Sequence, residues 1–294
     1  MREATRSDFH ISIAESLKSR TGLAAGKMGF SENAILRLPA RIEVTSDPCQ
    51  RRALVTALKT HACRQAGVFP DDESFLRQFG YRLMKTYQQM DYLAVPHGLP
   101  LPAPLDDLEE PRRLPFEALE PNRSHPYNPD DCYLPNLRNA KILIVSSLAD
   151  VLAERAQSEV FEAVWSRIGV PWPEPKSVGA LCFPFIYDTA VQSSRESVWE
   201  IFDEVCEAMS AVEFDVALIA AGALGSPIAL AVKDLGAIGI SMGGHLQALF
   251  GMYGKRWLED AEWSARYIND AWITPPADRK PQTTRGLPDD GDYW

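Results

Sequence analysis

The chain has 294 residues, 46% of them apolar, and a formal net charge of −10. That length allows one large or two small domains, and the apolar share suffices for a sizeable core. The acidic balance argues against a general binder of nucleic-acid backbone, and no apolar run approaches the ~20 residues of a membrane span.

Met1–Gly22 lacks the apolar centre of a signal peptide, so a cytoplasmic location is expected. The five cysteines, Cys49, Cys63, Cys132, Cys182 and Cys206, are scattered and form no C-x-x-C. They read as reduced, mostly buried thiols. The histidines show no metal-binding spacing.

In chain order, residues 8–22 read as a helix that breaks at Gly22. Leu23–Phe30 reads as a short strand and turn. Ser31 stands where it would cap a helix running to Leu38, with Pro39 as its stop. Pro48–Gly67 reads as a second helix, with Ala53, Leu54, Ala57 and Leu58 on one face. Phe75–Met90 reads as a third, with Phe75, Leu76, Phe79, Leu83 and Tyr87 at helical spacing. From Pro96 to Pro135 ten prolines exclude any long regular element. A loop of that length is either functional or packed as short turns.

From Lys141 the pattern changes. Lys141–Ser147 reads as a strand, 149–168 as a helix and Val178–Phe183 as a strand. Val198, Ile201, Phe202, Val205 and Met209 mark the apolar stripe of a helix over 196–210. Val216–Ala221 is a strand ending in Gly222-Ala-Leu-Gly225, with Ser226 as N-cap and Pro227 as first residue of the next helix. Ala237–Met242 is a strand ending in Gly243-Gly244-His245, and a helical segment then closes in Gly254-Lys255-Arg256-Trp257. Residues 258–274 read as a last, aromatic-rich helix carrying Trp263 and Trp272.

Strand, glycine turn and helix in alternation specify a Rossmann-like α/β parallel sheet of at least four strands, flanked by helices. Residues 1–137 form a helical N-terminal region with a Pro-rich connector, and 138–294 the α/β region, packed as one unit. Ligands of such sheets bind beyond the carboxyl ends of the strands. Glycine there permits positive φ and close backbone approach, and free N–H groups favour phosphate or carboxylate. The Gly222-x-x-Gly225 turn is not the G-x-G-x-x-G dinucleotide fingerprint, and a bland tight turn stays open.

Several segments together resemble a family. Gly26-Lys27-Met28-Gly29-Phe30-Ser31-Glu32 resembles a basic–apolar–Gly–x–x–Glu signature. Ala66–Pro70, Met90–Leu93 and Lys141–Ser147 add weaker likenesses. The densest match joins Phe214–Pro227, Met242-Gly243-Gly244, Gln247, Leu249-Phe250-Gly251 and Gly254–Trp257, and the terminal Tyr293-Trp294 also fits. On these residues the chain resembles bacterial proteins of the GT-D-type glycosyltransferase fold, found among surface-polysaccharide genes. The resemblance implies a cytoplasmic enzyme of bacterial biosynthesis. It would transfer a sugar from a nucleotide-diphosphate donor to a saccharide or other small acceptor, with no nucleic-acid partner. A homo-oligomer stays open.

The resemblance also implies an Asp-x-Glu motif holding a divalent metal. Here Phe30 stands at the Asp position and leaves Glu32 alone, a weak site for a hard cation, so no metal ligand set is assigned. The first C-terminal strand ends in Ser146-Ser147-Leu148 where the family often has His-Pro-Phe, and Leu224 replaces an aromatic residue.

The cleft is expected where Gly222–Gly225 and Gly243–His245 meet the Lys27–Glu32 turn. Glu32 and His245 are the candidate bases, with burial expected to depress the His245 pKa. Lys27, Gly29, Ser31, Gly222, Gly225, Gly243, Gly244, Gln247, Lys255 and Arg256 are the candidate substrate contacts. Each has a structural alternative: Glu32 as a helix N-terminal charge, the glycines as tight turns, His245 as a cap. Lys255 and Arg256 would then be a helix C-terminal pair, Asp91 a cap, and Trp257, Trp263 and Trp272 core. Other functions also stay open: an enzyme using another nucleotide-containing cofactor, such as S-adenosylmethionine, or a non-catalytic partner in a biosynthetic complex.

Overall fold

The computed structural model describes residues 1–121, 123 and 127–280; Pro126 and the Tyr293-Trp294 likeness lie outside the described residues. The N-terminal part runs α1 (Arg6–Ser19), β1 (Leu23–Lys27), α2 (Phe30–Val44), α3 (Pro48–Lys59), α4 (Glu73–Gln89), β2 (Tyr92–Val95), a short α5 (Ala103–Asp106) and β3 (Arg112–Pro115). The remainder runs β4 (Lys141–Ser146), α6 (Ala149–Arg155), α7 (Ser158–Val164), β5 (Ser177–Leu181), α8 (Thr189–Ser193) and α9 (Val198–Ser210). It closes with β6 (Val216–Ala220), α10 (Gly225–Asp234), β7 (Ile238–Ser241), α11 (His245–Leu249), α12 (Lys255–Leu258) and α13 (Ala261–Arg266).

Among the described residues seven strands form one parallel sheet in the order β3-β2-β1-β7-β6-β4-β5. Alternate residues along a strand face opposite sides. Ile142, Ile144, Val216, Leu218, Ile238 and Ile240 join one core. Leu143, Val145, Ala217 and Ile219 join the other. Both faces are therefore covered, which accounts for the unbroken apolar strands. The four strands expected after Lys141 are β4 to β7. The region before it supplies three more, with β1 seated between β2 and β7.

Local readings fail where tertiary contacts or the backbone decide. Gly29, not Ser31, caps α2, and the helix passes through Pro39 to Val44. A proline inside a helix removes one donor, and here packing outweighs that loss: Pro39 and the flanking Leu38 and Ile42 are buried in the second core. The second helix ends as a wide π turn, Thr60–Gln65. The 149–168 helix is two, broken at Ala156-Gln157. Leu224 precedes α10, so Ser226 and Pro227 lie inside its first turn, where a missing N–H is harmless. The helix expected over 258–274 is reduced to the short α13, and Gly254–Trp257 opens the separate turn α12. Of the cysteines only Cys132 is fully buried, while Cys49 and Cys182 are exposed. Among the described residues no helix is long and apolar enough to cross a membrane.

Candidate functional site

The chain leaves β4 and β7 toward one core, through Leu152 of α6 and Leu246 of α11. It leaves β1 and β6 toward the other, through Ile35 of α2 and Ile228 of α10. Since β7 lies between β1 and β6, and β4 beside β6, neighbouring connections diverge and open a crevice above the carboxyl ends. A cavity of about 320 Å³ occupies it. That volume is at the lower end for small-ligand sites and suits one small molecule, not a polymer.

The β1–α2 turn forms one wall. Lys27, Gly29 and Glu32 line the cavity. The Glu32 carboxylate accepts the Gly29 N–H at 3.0 Å and so closes the start of its own helix. Burial raises its pKa, against the pull of the backbone N–H bonds it accepts and of His61. Ser31 does not reach the cavity lining; its hydroxyl donates to Gln65 Oε1 at 2.7 Å. Phe30, at the position of the missing carboxylate, is 71% exposed and supplies no ligand. Among the described residues no group of three His, Cys, Asp or Glu is placed to hold a metal ion.

Lys27 and His245 belong to a charged cluster whose other members, Glu120 and Arg123, the sequence reading missed. Glu120, from the Pro-rich connector, is 3% exposed. It pairs with Lys27, accepts from Arg123 at 3.2 Å, and lies 3.3 Å from His245 Nδ1. Burial opposes its ionisation, but His245, Lys27 and Arg123 outweigh that and hold its pKa at about 2. Burial drives the His245 pKa down to about 3, with Glu120 opposing and the nearby cations adding to the fall. A neutral imidazole facing a carboxylate is favourable only with Nδ1 as the donor. Burial also lowers the Lys27 pKa, against the raising effect of Glu120.

The two glycine turns differ. Gly222 has φ +50°, and a Cβ there would lie 2.7 Å from Ile186 Cδ1 and 2.9 Å from the Ala66 carbonyl. A Cβ on Gly225 would collide with Ser241 Oγ. The donors of this turn are also engaged: Ala223 N–H with Ala66 O, Leu224 N–H with Ala221 O and Gly225 N–H with Gly222 O. Gly222 borders the cavity, but this turn packs against protein, and its Ala223, Leu224 and Gly225 N–H groups are not free for the diphosphate cradle expected of it. Gly243 has φ +58° and nothing within 4 Å of a Cβ. Gly243 and Gly244 line the cavity, and among the described residues their N–H groups make no hydrogen bond.

His245, Gln247 and Arg256 also line the cavity. Lys255 does not: it is exposed and faces Glu259 at 3.7 Å. Both basic residues begin α12 instead of ending a helix. Trp257 and Trp263 form part of the lining, with Arg256 4.9 Å above the Trp257 ring and Arg123 5.4 Å from Trp263. Trp272 is core, its Nε1 donating to Val164 O. Asp91 lies at the amino ends of the strands, away from the cavity, accepting from Ala24 N–H and Lys233.

Besides Glu120 and Arg123, the unforeseen lining includes Tyr87, Ser146 and Ser226. The density of prolines around Glu120 was the one signal available, since such a long connector calls for a function. No family model, curated protein or solved structure matches this chain.

Proposed function

We propose that the cavity binds a nucleotide-diphosphate sugar and that the protein transfers its sugar to a small acceptor. The observation that carries the reading is a concentration of cations in an acidic protein. Lys27, Arg123 and Arg256 meet at a crevice above the strand ends, beside the Gly243-Gly244 backbone. Glu120 balances one of those charges. A diphosphate supplies the anion that this arrangement favours, and guanidinium forks suit its oxygens.

In the reaction, an acceptor hydroxyl attacks the anomeric carbon, the bond to the diphosphate breaks, and the diphosphate leaves as an anion. Fixed cations stabilise that leaving charge without reorganising. The acceptor proton needs a base. Glu32, with its raised pKa, is the stronger candidate. His245 binds protons weakly at about pKa 3 and serves better as a neutral donor that orients Glu120. The filled turn at Gly222 argues against a dinucleotide whose pyrophosphate lies on that turn.

Thermal shift with UDP-glucose, GDP-mannose, S-adenosylmethionine and NAD tests the reading. A ligand at a hundred times its Kd stabilises by about 2.7 kcal/mol. Stabilisation by a nucleotide sugar, followed by acceptor-dependent release of nucleoside diphosphate, is expected. Response only to S-adenosylmethionine or NAD, or to none, would overturn it.

A further inference from the structure

One residue of the cavity lining carries a buried polar atom that is unsatisfied among the described residues. Gln247 is 8% exposed, and its Oε1 is buried with no hydrogen-bond partner among the described residues. The residue lies on α11, two positions after His245, and lines the cavity. A buried carbonyl oxygen without a donor destabilises a fold. The local sequence offers no reason to keep it, since the neighbouring Leu246, Ala248 and Leu249 are all apolar and buried. A ligand that brings a donor to this oxygen removes the penalty.

The chemistry narrows that donor. An ionised diphosphate is acceptor-only and belongs with Arg123, Arg256 and Lys27. The group at Gln247 is therefore a different part of the same ligand. An uncharged carboxamide matches an uncharged hydroxyl without adding a charge to the site. We infer that Gln247 is a specificity-determining residue whose Oε1 accepts a hydrogen bond from a ligand hydroxyl, on the transferred sugar or on the ribose. The inference rests on the nucleotide-sugar reading.

Gln247→Met keeps the side-chain length and removes the acceptor. Replacing an unsatisfied buried acceptor by an apolar group of similar shape is near neutral or stabilising. The ligand-free variant is therefore expected to melt at or above the wild-type temperature. Its affinity for the bound conjugate should fall by roughly tenfold, the value of one hydrogen bond.

The experiment is calorimetric titration of wild type and variant with UDP-glucose, UDP and the deoxyribose form of UDP, or with the GDP-mannose set if that conjugate is the one that binds. Loss confined to the sugar conjugate places the hydroxyl on the transferred sugar. Loss for conjugate and nucleoside diphosphate, but not for the deoxyribose form, places it on the ribose. Equal loss for all three points to a base N–H and overturns the inference, as does unchanged affinity throughout. A lowered ligand-free melting temperature would also overturn it, because Gln247 would then be structural. If wild type binds none of these probes, the nucleotide-sugar reading fails and takes the inference with it; if UDP binds normally to the variant and so does its conjugate, only the inference fails.

Discussion

Glu120→Gln is the substitution that most directly probes the charged cluster. It keeps the volume and one carbonyl oxygen but removes the carboxylate that pairs with Lys27, Arg123 and His245. Two independent routes give its size. Breaking a buried ion pair by deleting one partner costs about 3–5 kcal/mol. A carboxyl pKa held at about 2 against an ordinary 4.5 corresponds to roughly 3 kcal/mol at neutral pH. Against a total stability of about 5–15 kcal/mol, the variant should fold with a clearly lower urea midpoint and an unchanged slope. Lys255→Ala is the internal control, since Lys255 faces Glu259 at the surface; a change within about 0.5 kcal/mol is expected there. A Glu120→Gln loss below about 1 kcal/mol would refute the reasoning, because it would show that water reaches the cluster and screens it like a surface pair.

The two glycine turns should separate cleanly. Gly222→Val meets Ile186 and the Ala66 carbonyl at positive φ, so a loss above about 3 kcal/mol in the melt is expected. Gly243→Ala meets open space, so only the left-handed backbone cost of about 1–2 kcal/mol applies, while nucleotide-sugar titration should show weakened binding. Arg256→Ala should leave the melt unchanged and weaken UDP binding by about 1–3 kcal/mol, more at low salt than at high; equal weakening for uridine would remove Arg256 from the phosphate contact. Acid should destabilise the protein. The depressed pKa values of His245 (about 3 against 6.5) and Glu120 (about 2 against 4.5) mean that their contribution is complete above about pH 6.5 and is lost as pH falls toward 2. Glu32, raised by burial, opposes this: its contribution is present at low pH and lost as pH rises through its folded value. A stability profile flat from pH 7 to pH 4 would contradict the neutral-histidine arrangement.

The parallel sheet was legible in the sequence because strands buried on both faces leave no polar alternation. Lys141–Ser146, Val216–Ala220 and Ile238–Ser241 stand out as apolar runs ending in small or polar residues. So was the stripe of α9, whose Ser197–Glu200 capping box also marks its start. The site at the strand ends follows from that topology, and Lys27, Glu32, Gly243, His245, Gln247 and Arg256 do meet there.

Only the tertiary structure decided which of those residues share a wall and which serve packing. Gly222 and Gly243 look alike in sequence, yet one is held against Ile186 and the other borders open space. Glu120 sits among prolines with no periodicity, and its importance arises from burial beside three partners, two of them over ninety residues away in sequence. Ion pairing and hydrogen-bond satisfaction depend on distance in space. Local propensity and spacing carry no record of either, and so the charged centre of the cavity and the unsatisfied oxygen of Gln247 emerged only once the chain was folded.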